Sequence, residues 1–155
     1  MLNQHREYQQ FQFELGEQNS YTLVRASEEM KGHILIPSFY RGKPITRIGD
    51  YAFLTCKKLE TITIPTTVYK VGCCAFAECS ALEKLVLEGY VELIDKAAFY
   101  NCINLSDVEF KNNVGKIRKD AFESCNKIGF LNLEEATYSF PEKCVFDSIL
   151  SAKYF

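Results

Sequence analysis

Residues 45–65 read ITRIGDYAFLTCKKLETITIP, and the apolar residues of this stretch return 23 positions later, three times in succession. The alanine–phenylalanine pair shows the step most clearly, as Ala52-Phe53, Ala75-Phe76, Ala98-Phe99 and Ala121-Phe122. A fixed step of this length indicates a repeat protein, in which each unit stacks on the next. Eight apolar columns keep the step through four repeats, starting from Ile45, Ile48, Ala52, Phe53, Cys56, Leu59, Ile62 and Ile64.

Each repeat is predicted to form one coil of a solenoid. Ile62 and Ile64 alternate with polar residues, as the inward-facing residues of a short strand do. Stacked coils would place these strands side by side in a parallel sheet, about 4.8 Å apart. The apolar spacing from Ile48 through Ala52 and Phe53 to Cys56 favours a helical or 3₁₀ turn on the opposite face. The phenylalanine column is expected to fill the centre of the coil.

The two ends of the chain depart from the repeat, as the ends of a solenoid must, because a bare end exposes core and strand edges. Alternating apolar residues predict an N-terminal hairpin cap, with Phe11, Phe13 and Leu15 on one strand and Tyr21 and Leu23 on the other. A capping-box spacing at Ser139 predicts a C-terminal helical cap. We therefore expect a single domain with three parts: a tail and cap over 1–31, a partial repeat and four full repeats over 32–135, and the closing cap over 136–155.

The repeated unit resembles a known family. The pattern Ile-x-x-Ile-x-x-x-Ala-Phe-x-x-Cys-x-x-Leu-x-x-Ile-x-Ile-Pro over Ile45–Pro65, with the lead-in over Ile34–Gly49, is similar to the BspA-like (treponemal-type) leucine-rich repeat. The resemblance covers residues 32–135. It implies a right-handed parallel-sheet solenoid of the kind found in surface or secreted proteins that act in adhesion and protein binding. It brings no catalytic residues with it.

Charge and hydropathy restrict the classes of partner. The formal net charge is −2 and the isoelectric point is near 5.8, so the chain lacks the concentrated positive field that nucleic acids and anionic membranes require. We expect no nucleic-acid binding. No apolar run approaches the roughly 18 residues that cross a bilayer, so we expect no membrane insertion. Residues 1–7 have no apolar stretch like that of a secretory signal. Two locations therefore stay open for the protein: the cytoplasm, and the cell surface or the secreted fraction, which the resemblance implies.

Seven cysteines raise the question of disulfides or a metal site. Their number is odd and no pair has the Cys-x-x-Cys spacing of a zinc site. Four of them form a repeat column, where a straight row of sulfurs about 5 Å apart can neither bond nor surround a metal. We expect this column to be buried free thiols, at Cys56, Cys79, Cys102 and Cys125. Cys73 lies outside the column and is a candidate reactive thiol.

The chain offers little for catalysis, and we expect neither an enzyme nor a cofactor. Nucleophilic catalysis needs a base beside the nucleophile, and the two histidines are His5 and His33. A pairing of Cys73 with His33 would make a hydrolase, but no spacing supports it. The eight glycines are dispersed, so no phosphate-binding loop is evident.

The outward positions of the predicted strands are the candidate functional residues. Their identities drift from repeat to repeat while the core columns stay fixed, so packing does not constrain them. Three of these residues are apolar, which favours a partner on an open face. The candidate protein-binding face comprises His33, Leu35, Thr61, Thr63, Lys84, Val86, Glu88, Asp107, Glu109, Lys111, Phe130 and Asn132.

Two functions remain open besides the hydrolase chemistry of a cysteine–histidine pair. The first is a non-catalytic protein-binding or adhesion module whose partner is a protein such as a host surface component. The second is a structural spacer within a larger surface protein. The oligomeric state and the identity of the partner do not follow from the residues.

Overall fold

The computed structural model describes residues 8–118, 120–128 and 131–132. In this part of the chain each repeat makes one coil with three sides: a strand, a turn segment and a second strand. The described residues form twelve strands, namely β1 (Phe11–Leu15), β2 (Tyr21–Ala26), β3 (Lys31–Leu35), β4 (Phe39–Tyr40), β5 (Lys43–Ile48), β6 (Lys58–Ile64), β7 (Lys70–Val71), β8 (Lys84–Leu87), β9 (Val91–Ile94), β10 (Asp107–Phe110), β11 (Val114–Ile117) and β12 (Leu131–Asn132).

The predicted parallel sheet is present, and we call it the front sheet. Its strand order is β12-β10-β8-β6-β3, and every neighbouring pair is parallel. The 23-residue step sets the register, so that Ile62 lies opposite Leu85 and Leu85 opposite Val108. These three side chains are buried. The alternation of apolar residues in the sequence therefore identified this sheet and its inward face correctly.

The other side of the coil differs from the prediction. It contains a second sheet, the back sheet, in the order β1-β2-β5-β7-β9-β11. Its strands are parallel from β2 to β11, while β4 pairs antiparallel with β5. The helical or 3₁₀ turns expected on this side are wrong, since the described residues contain a single 3₁₀ turn, Glu17–Asn19 in the cap. Val91 and Ile94 are both buried at a spacing of three, because β9 runs from one corner of the coil to the next and both ends point inward.

Hydrogen bonding explains why the turn segments are not helical. The backbone N–H of Phe76 donates to the carbonyl of Ala98 in the next coil, at 2.7 Å, rather than to a residue of its own segment. Phe53 and Phe99 do the same with Ala75 and Ala121. An α-helix needs each N–H for the carbonyl four residues earlier. Bonding between coils uses every second donor of the segment, while those between them, such as Ala75 N–H and Ala77 N–H, bond three residues back. The segment therefore remains a series of turns and does not continue as a helix.

The N-terminal hairpin cap is confirmed. β1 and β2 pair antiparallel, and β2 continues into the back sheet by pairing parallel with β5. The ring of Phe11 packs edge-on against the ring of Phe53 at a centroid distance of 6.2 Å. The cap thereby covers the first member of the phenylalanine column, which would otherwise face water.

The phenylalanine column forms the axis of the solenoid. The rings of Phe53 and Phe76 stack at 4.6 Å, those of Phe76 and Phe99 at 5.0 Å, and those of Phe99 and Phe122 at 5.0 Å. The first three are fully buried. Each ring fills the centre of its own coil and contacts the ring above and below, so the stack joins the coils into one core.

Two expectations fall on the undescribed parts of the chain. The C-terminal helical cap over 136–155 and the candidate side chain of Phe130 both lie outside the described residues. Among the helical residues that the structure does describe, none belongs to a helix long and apolar enough to cross a membrane.

Candidate functional site

The outer face of the front sheet carries the predicted candidate residues in ordered rows. The first row runs from His33 through Thr61 and Lys84 to Asp107, each opposite the next. The second row runs in the same way through Leu35, Thr63, Val86 and Glu109, and the backbone of Asn132 lies opposite Glu109. Glu88 and Lys111 directly follow β8 and β10. The sheet register thus places these candidates on one continuous surface.

One half of this face is uncharged. Leu35 is 66% exposed at the outer edge of the sheet, and His33 on the same strand is exposed as well. Thr61 and Thr63 on the neighbouring strand β6 are half-buried. An aliphatic side chain left this open beside short polar side chains offers an apolar contact with little desolvation cost. We call His33, Leu35, Thr61 and Thr63 the neutral patch.

Val86 differs from its expected role as an open apolar group. It lies in the second row but is only 7% exposed. Thr63 and Glu109 lie opposite it on the two neighbouring strands, so it is enclosed by the sheet on both sides. Val86 therefore contributes to packing within the face rather than to an accessible contact.

The other half of the face is charged, and its charges are matched. Lys84 Nζ lies 2.8 Å from Asp107 Oδ2 and 3.6 Å from Glu109 Oε2, while Lys111 Nζ lies 3.7 Å from Glu88 Oε1. The hydrogen bond to Asp107 and the negative charge of that carboxylate raise the pKa of Lys84. Lys84 on β8 and Lys111 directly after β10 thus each face an acidic residue one strand away, an arrangement that stabilises neighbouring strands.

The sequence contains the signal for this pairing, although the candidate residues were selected without it. Lys84 and Asp107 occupy the same position of consecutive repeats, so a parallel register must bring them side by side. The same relation joins Glu88 to Lys111. Opposite charges in one repeat column are therefore a readable prediction of ion pairs across a parallel sheet.

The cysteine column is buried and free of disulfides, as predicted, and it also makes hydrogen bonds. The thiols of Cys79, Cys102 and Cys125 each donate to the phenylalanine carbonyl of the preceding repeat, at 3.0–3.1 Å. Burial raises the pKa of Cys56 to about 12. Across the described ranges no group of three or more potential metal ligands comes together.

The candidate reactive thiol is less open than expected. Cys73 is half-buried, and its Sγ lies 3.7 Å from Sγ of Cys74. Burial, with the neighbouring thiol, raises the pKa of Cys73 to about 11, which keeps it protonated at neutral pH. The thiolate is the nucleophilic form, so this environment lowers reactivity. No hydrogen bond joins Cys73 to His33 within the described structure.

Parallel strands, a stacked aromatic axis and a repeat of 23 residues define the protein as a leucine-rich-repeat solenoid. The model of the BspA type leucine rich repeat region matches residues 33–151 in six copies, and the chain belongs to this family.

Solved structures of bacterial proteins share the fold. The chain is 25% identical to a leucine rich repeat protein of T. pallidum, with a TM-score of 0.72 over 77% of this chain and 56% of that one. It is 30% identical to a leucine rich cell surface protein of Faecalibacterium prausnitzii, with a TM-score of 0.67 over 76% of this chain and 33% of that one. A leucine-rich repeat protein of Bacteroides capillosus is 28% identical, with a TM-score of 0.65 over 74% of this chain and 86% of that one.

The coverage shows how these chains differ in length. The matched region spans about half of the T. pallidum protein and a third of the F. prausnitzii protein.

A comparison with curated proteins finds no match.

Proposed function

We propose that the chain is a non-catalytic module that binds a protein through the outer face of its front sheet. The observation that carries this proposal is the exposure of Leu35, 66%, on the same flat surface as the half-buried threonines of β6. A protein interface combines an apolar centre with a polar, hydrated rim. The neutral patch supplies the first, and the ion pairs of Lys84 and Lys111 supply the second.

The charged half of the face contributes to selection of the partner rather than to affinity. Lys84 and Lys111 are already paired with carboxylates, and exposed pairs of this kind contribute little free energy. A partner that places an unmatched charge against them has to break a pair, whereas a partner with a neutral or complementary edge does not. Charge at an interface rim discriminates between partners in this way.

The setting that we propose is the cell surface or the secreted fraction. It rests on family membership and on the likeness to the F. prausnitzii protein, which is described as a cell surface protein. A host surface protein is then the expected partner class, and adhesion the expected role.

A second candidate function is a spacer within a longer surface protein. The ion pairs of Lys84 with Asp107 and Glu109 favour it, because a face whose charges are already paired does not need a partner to neutralise them. The F. prausnitzii protein is also about three times as long as the region that this chain matches.

A matched pair of leucine variants separates the two functions. Leu35→Ser removes the apolar centre of the neutral patch, and Leu15→Ser removes an equally open leucine, 63% exposed, from the cap. Binding of each variant to a panel of purified host extracellular proteins would be measured by surface plasmon resonance. We expect at least one ligand to bind Leu35→Ser at least about tenfold more weakly than the wild type, a loss of about 1.4 kcal/mol in binding free energy. The same ligand should bind Leu15→Ser as tightly as the wild type.

Equal losses in the two variants would contradict the proposed face. No binding by any member of the panel would favour the spacer.

A further inference from the structure

The outer side of the back sheet carries a row of cations that the proposed function does not use. The register runs Thr22, Arg47, Lys70, Leu93 and Lys116 across five strands, each residue opposite the next. Arg47 and Lys70 are half-buried, and Lys116 is exposed. We call Arg47, Lys70 and Lys116 the basic row.

The basic row is unmatched by acidic partners. None of its three side chains forms an ion pair with any carboxylate of the described residues. Glu92 precedes Leu93 on β9 and is exposed, yet it pairs with none of them. Beside the row, Asp95 is already 3.8 Å from Arg118. This is the reverse of the front sheet, where Lys84 and Lys111 each contact a carboxylate.

An unmatched row of this kind costs stability unless something neutralises it. Arg47 and Lys70 are directly opposed on β5 and β7, about 4.8 Å apart along the sheet, and like charges in that position repel. Lys116 lies two strands beyond Lys70, at about twice that spacing. The chain has 20 acidic residues, and none of those that the structure describes pairs with these cations. The arrangement is therefore suited to an anion from outside the chain.

From this asymmetry we infer that the back sheet binds a linear sulfated polysaccharide laid across its strands. The row crosses the strands from β5 to β11 along one line of the register, so it fits an extended polymer rather than a small enclosed anion. The described residues also form a cleft of about 310 Å³, but it lies away from the row, between the cap and the first turn segment, and is lined by Arg25, Asp50 and Tyr51.

The side chains around the row suit sugars that carry sulfate groups. The guanidinium of Arg47 offers a planar set of donors for two oxygens of one anionic group, as it does with phosphate. The same guanidinium lies 5.8 Å from the centroid of the Tyr69 ring, which holds it over the sheet. Leu93, half-buried between Lys70 and Lys116, adds an apolar contact for the C–H face of a sugar ring.

An acidic peptide fits this surface less well. An extended peptide gains affinity by adding a strand to a free edge. The strands β5, β7 and β9 each have a neighbour on both sides, so a peptide laid across them finds no free edge. Duplex DNA fits less well again, because its affinity rises with the number of phosphates that cations neutralise, and the row has three cations.

The test uses immobilised heparin and the full chain. One triple variant neutralises the basic row, Arg47→Gln with Lys70→Gln and Lys116→Gln. A second makes the same change in net charge at exposed lysines outside the back sheet that have no ion pair in the described structure, Lys31→Gln with Lys57→Gln and Lys96→Gln. Binding is measured between about 50 and 200 mM salt, because ionic contacts weaken as salt rises.

We expect the wild type and the second triple variant to bind heparin alike, and the basic-row variant to bind at least tenfold more weakly. A charge-conserving variant, Arg47→Lys with Lys70→Arg and Lys116→Arg, should keep most of the affinity. Thermal melting of each variant reports whether it folds. If the basic-row variant does not fold, the exposed single change Lys116→Gln decides, with an expected loss of about threefold.

Three results would overturn the inference. The first is no heparin binding at low salt, and the second is an equal loss in the two triple variants, which would reduce the effect to net charge. The third is equal competition by polyglutamate or duplex DNA, which would show that the row does not select a polysaccharide. Each leaves the front-sheet proposal untouched, because that rests on Leu35.

Discussion

The thiol of Cys102 donates a hydrogen bond to the carbonyl oxygen of Phe76, 3.1 Å away and one coil earlier in the chain. Cys79 and Cys125 make the same bond to Phe53 and Phe99. A cysteine suits this position because it buries like a small apolar residue and still carries a weak donor. The column therefore joins successive coils at the corner where the turn segment meets the front sheet.

Thiol labelling should distinguish the column from the other cysteines. We expect Cys56, Cys79, Cys102 and Cys125 to resist a maleimide reagent in the folded protein, because their side chains are buried, and to react on denaturation. Cys73 and Cys74 are half-buried and should label before the column thiols. Mass spectrometry of proteolytic peptides identifies the labelled sites. Rapid labelling of all four column thiols in the native state would show that the column is not interior.

The burial of Cys56 also predicts a loss of stability at alkaline pH. Its pKa rises from 9.0 to about 12 in the folded protein, mainly through desolvation. Above pH 9.0 the unfolded chain loses this proton and the folded chain keeps it, so the unfolded state gains relative stability. The stabilisation is complete below the unfolded pKa and is lost as pH rises toward the folded one.

Urea unfolding of the wild type and Cys56→Ala, from about pH 8 to about pH 11, measures this effect. The alanine variant should be less stable at the lower pH and should lose less stability as pH increases. Parallel curves for the two proteins would mean that Cys56 does not contribute to the pH dependence.

Truncation of the aromatic axis should destabilise the whole solenoid. Phe99 is fully buried and stacks on Phe76 and on Phe122, so Phe99→Ala removes both contacts and leaves a cavity. We expect the free energy of unfolding to fall by about 3–5 kcal/mol. The control is Phe39→Ala, since Phe39 is 53% exposed and should cost well under half as much. Similar losses for the two variants in urea unfolding would argue against a stacked core.

The repeat columns were sufficient to predict the front sheet, since Ile62 and Ile64 alternate with the period that only a strand has. The back sheet was missed because Val91 and Ile94 stand three residues apart, a spacing more typical of a helix. Both lie at corners, where a short strand turns its ends inward. Burial of Val86 was missed because it depends on the side chains of neighbouring strands rather than on its own position in the repeat.

The turn segments could not have been predicted from residue preferences. Thr55 and its counterparts Glu78, Asn101 and Ser124 have φ between +56° and +63°. Only glycine, and to a lesser degree asparagine and aspartate, adopt this left-handed backbone conformation readily. Three of the four residues in this column lack the preference. Hydrogen bonds between coils, such as Thr55 N–H to the carbonyl of Ala77 at 3.0 Å, impose the conformation.

This conformation predicts a stabilising substitution at Thr55. A β-branched residue is strained at φ +59°, whereas asparagine adopts it readily, so Thr55→Asn should raise the free energy of unfolding by about 1 kcal/mol. The hydroxyl of Thr55 makes no hydrogen bond in the described structure, so the change removes no partner. Thr63→Asn is the control, because Thr63 lies in β6, where asparagine is disfavoured and should destabilise. A loss of stability in Thr55→Asn would mean that the threonine side chain packs in a way that outweighs the backbone strain.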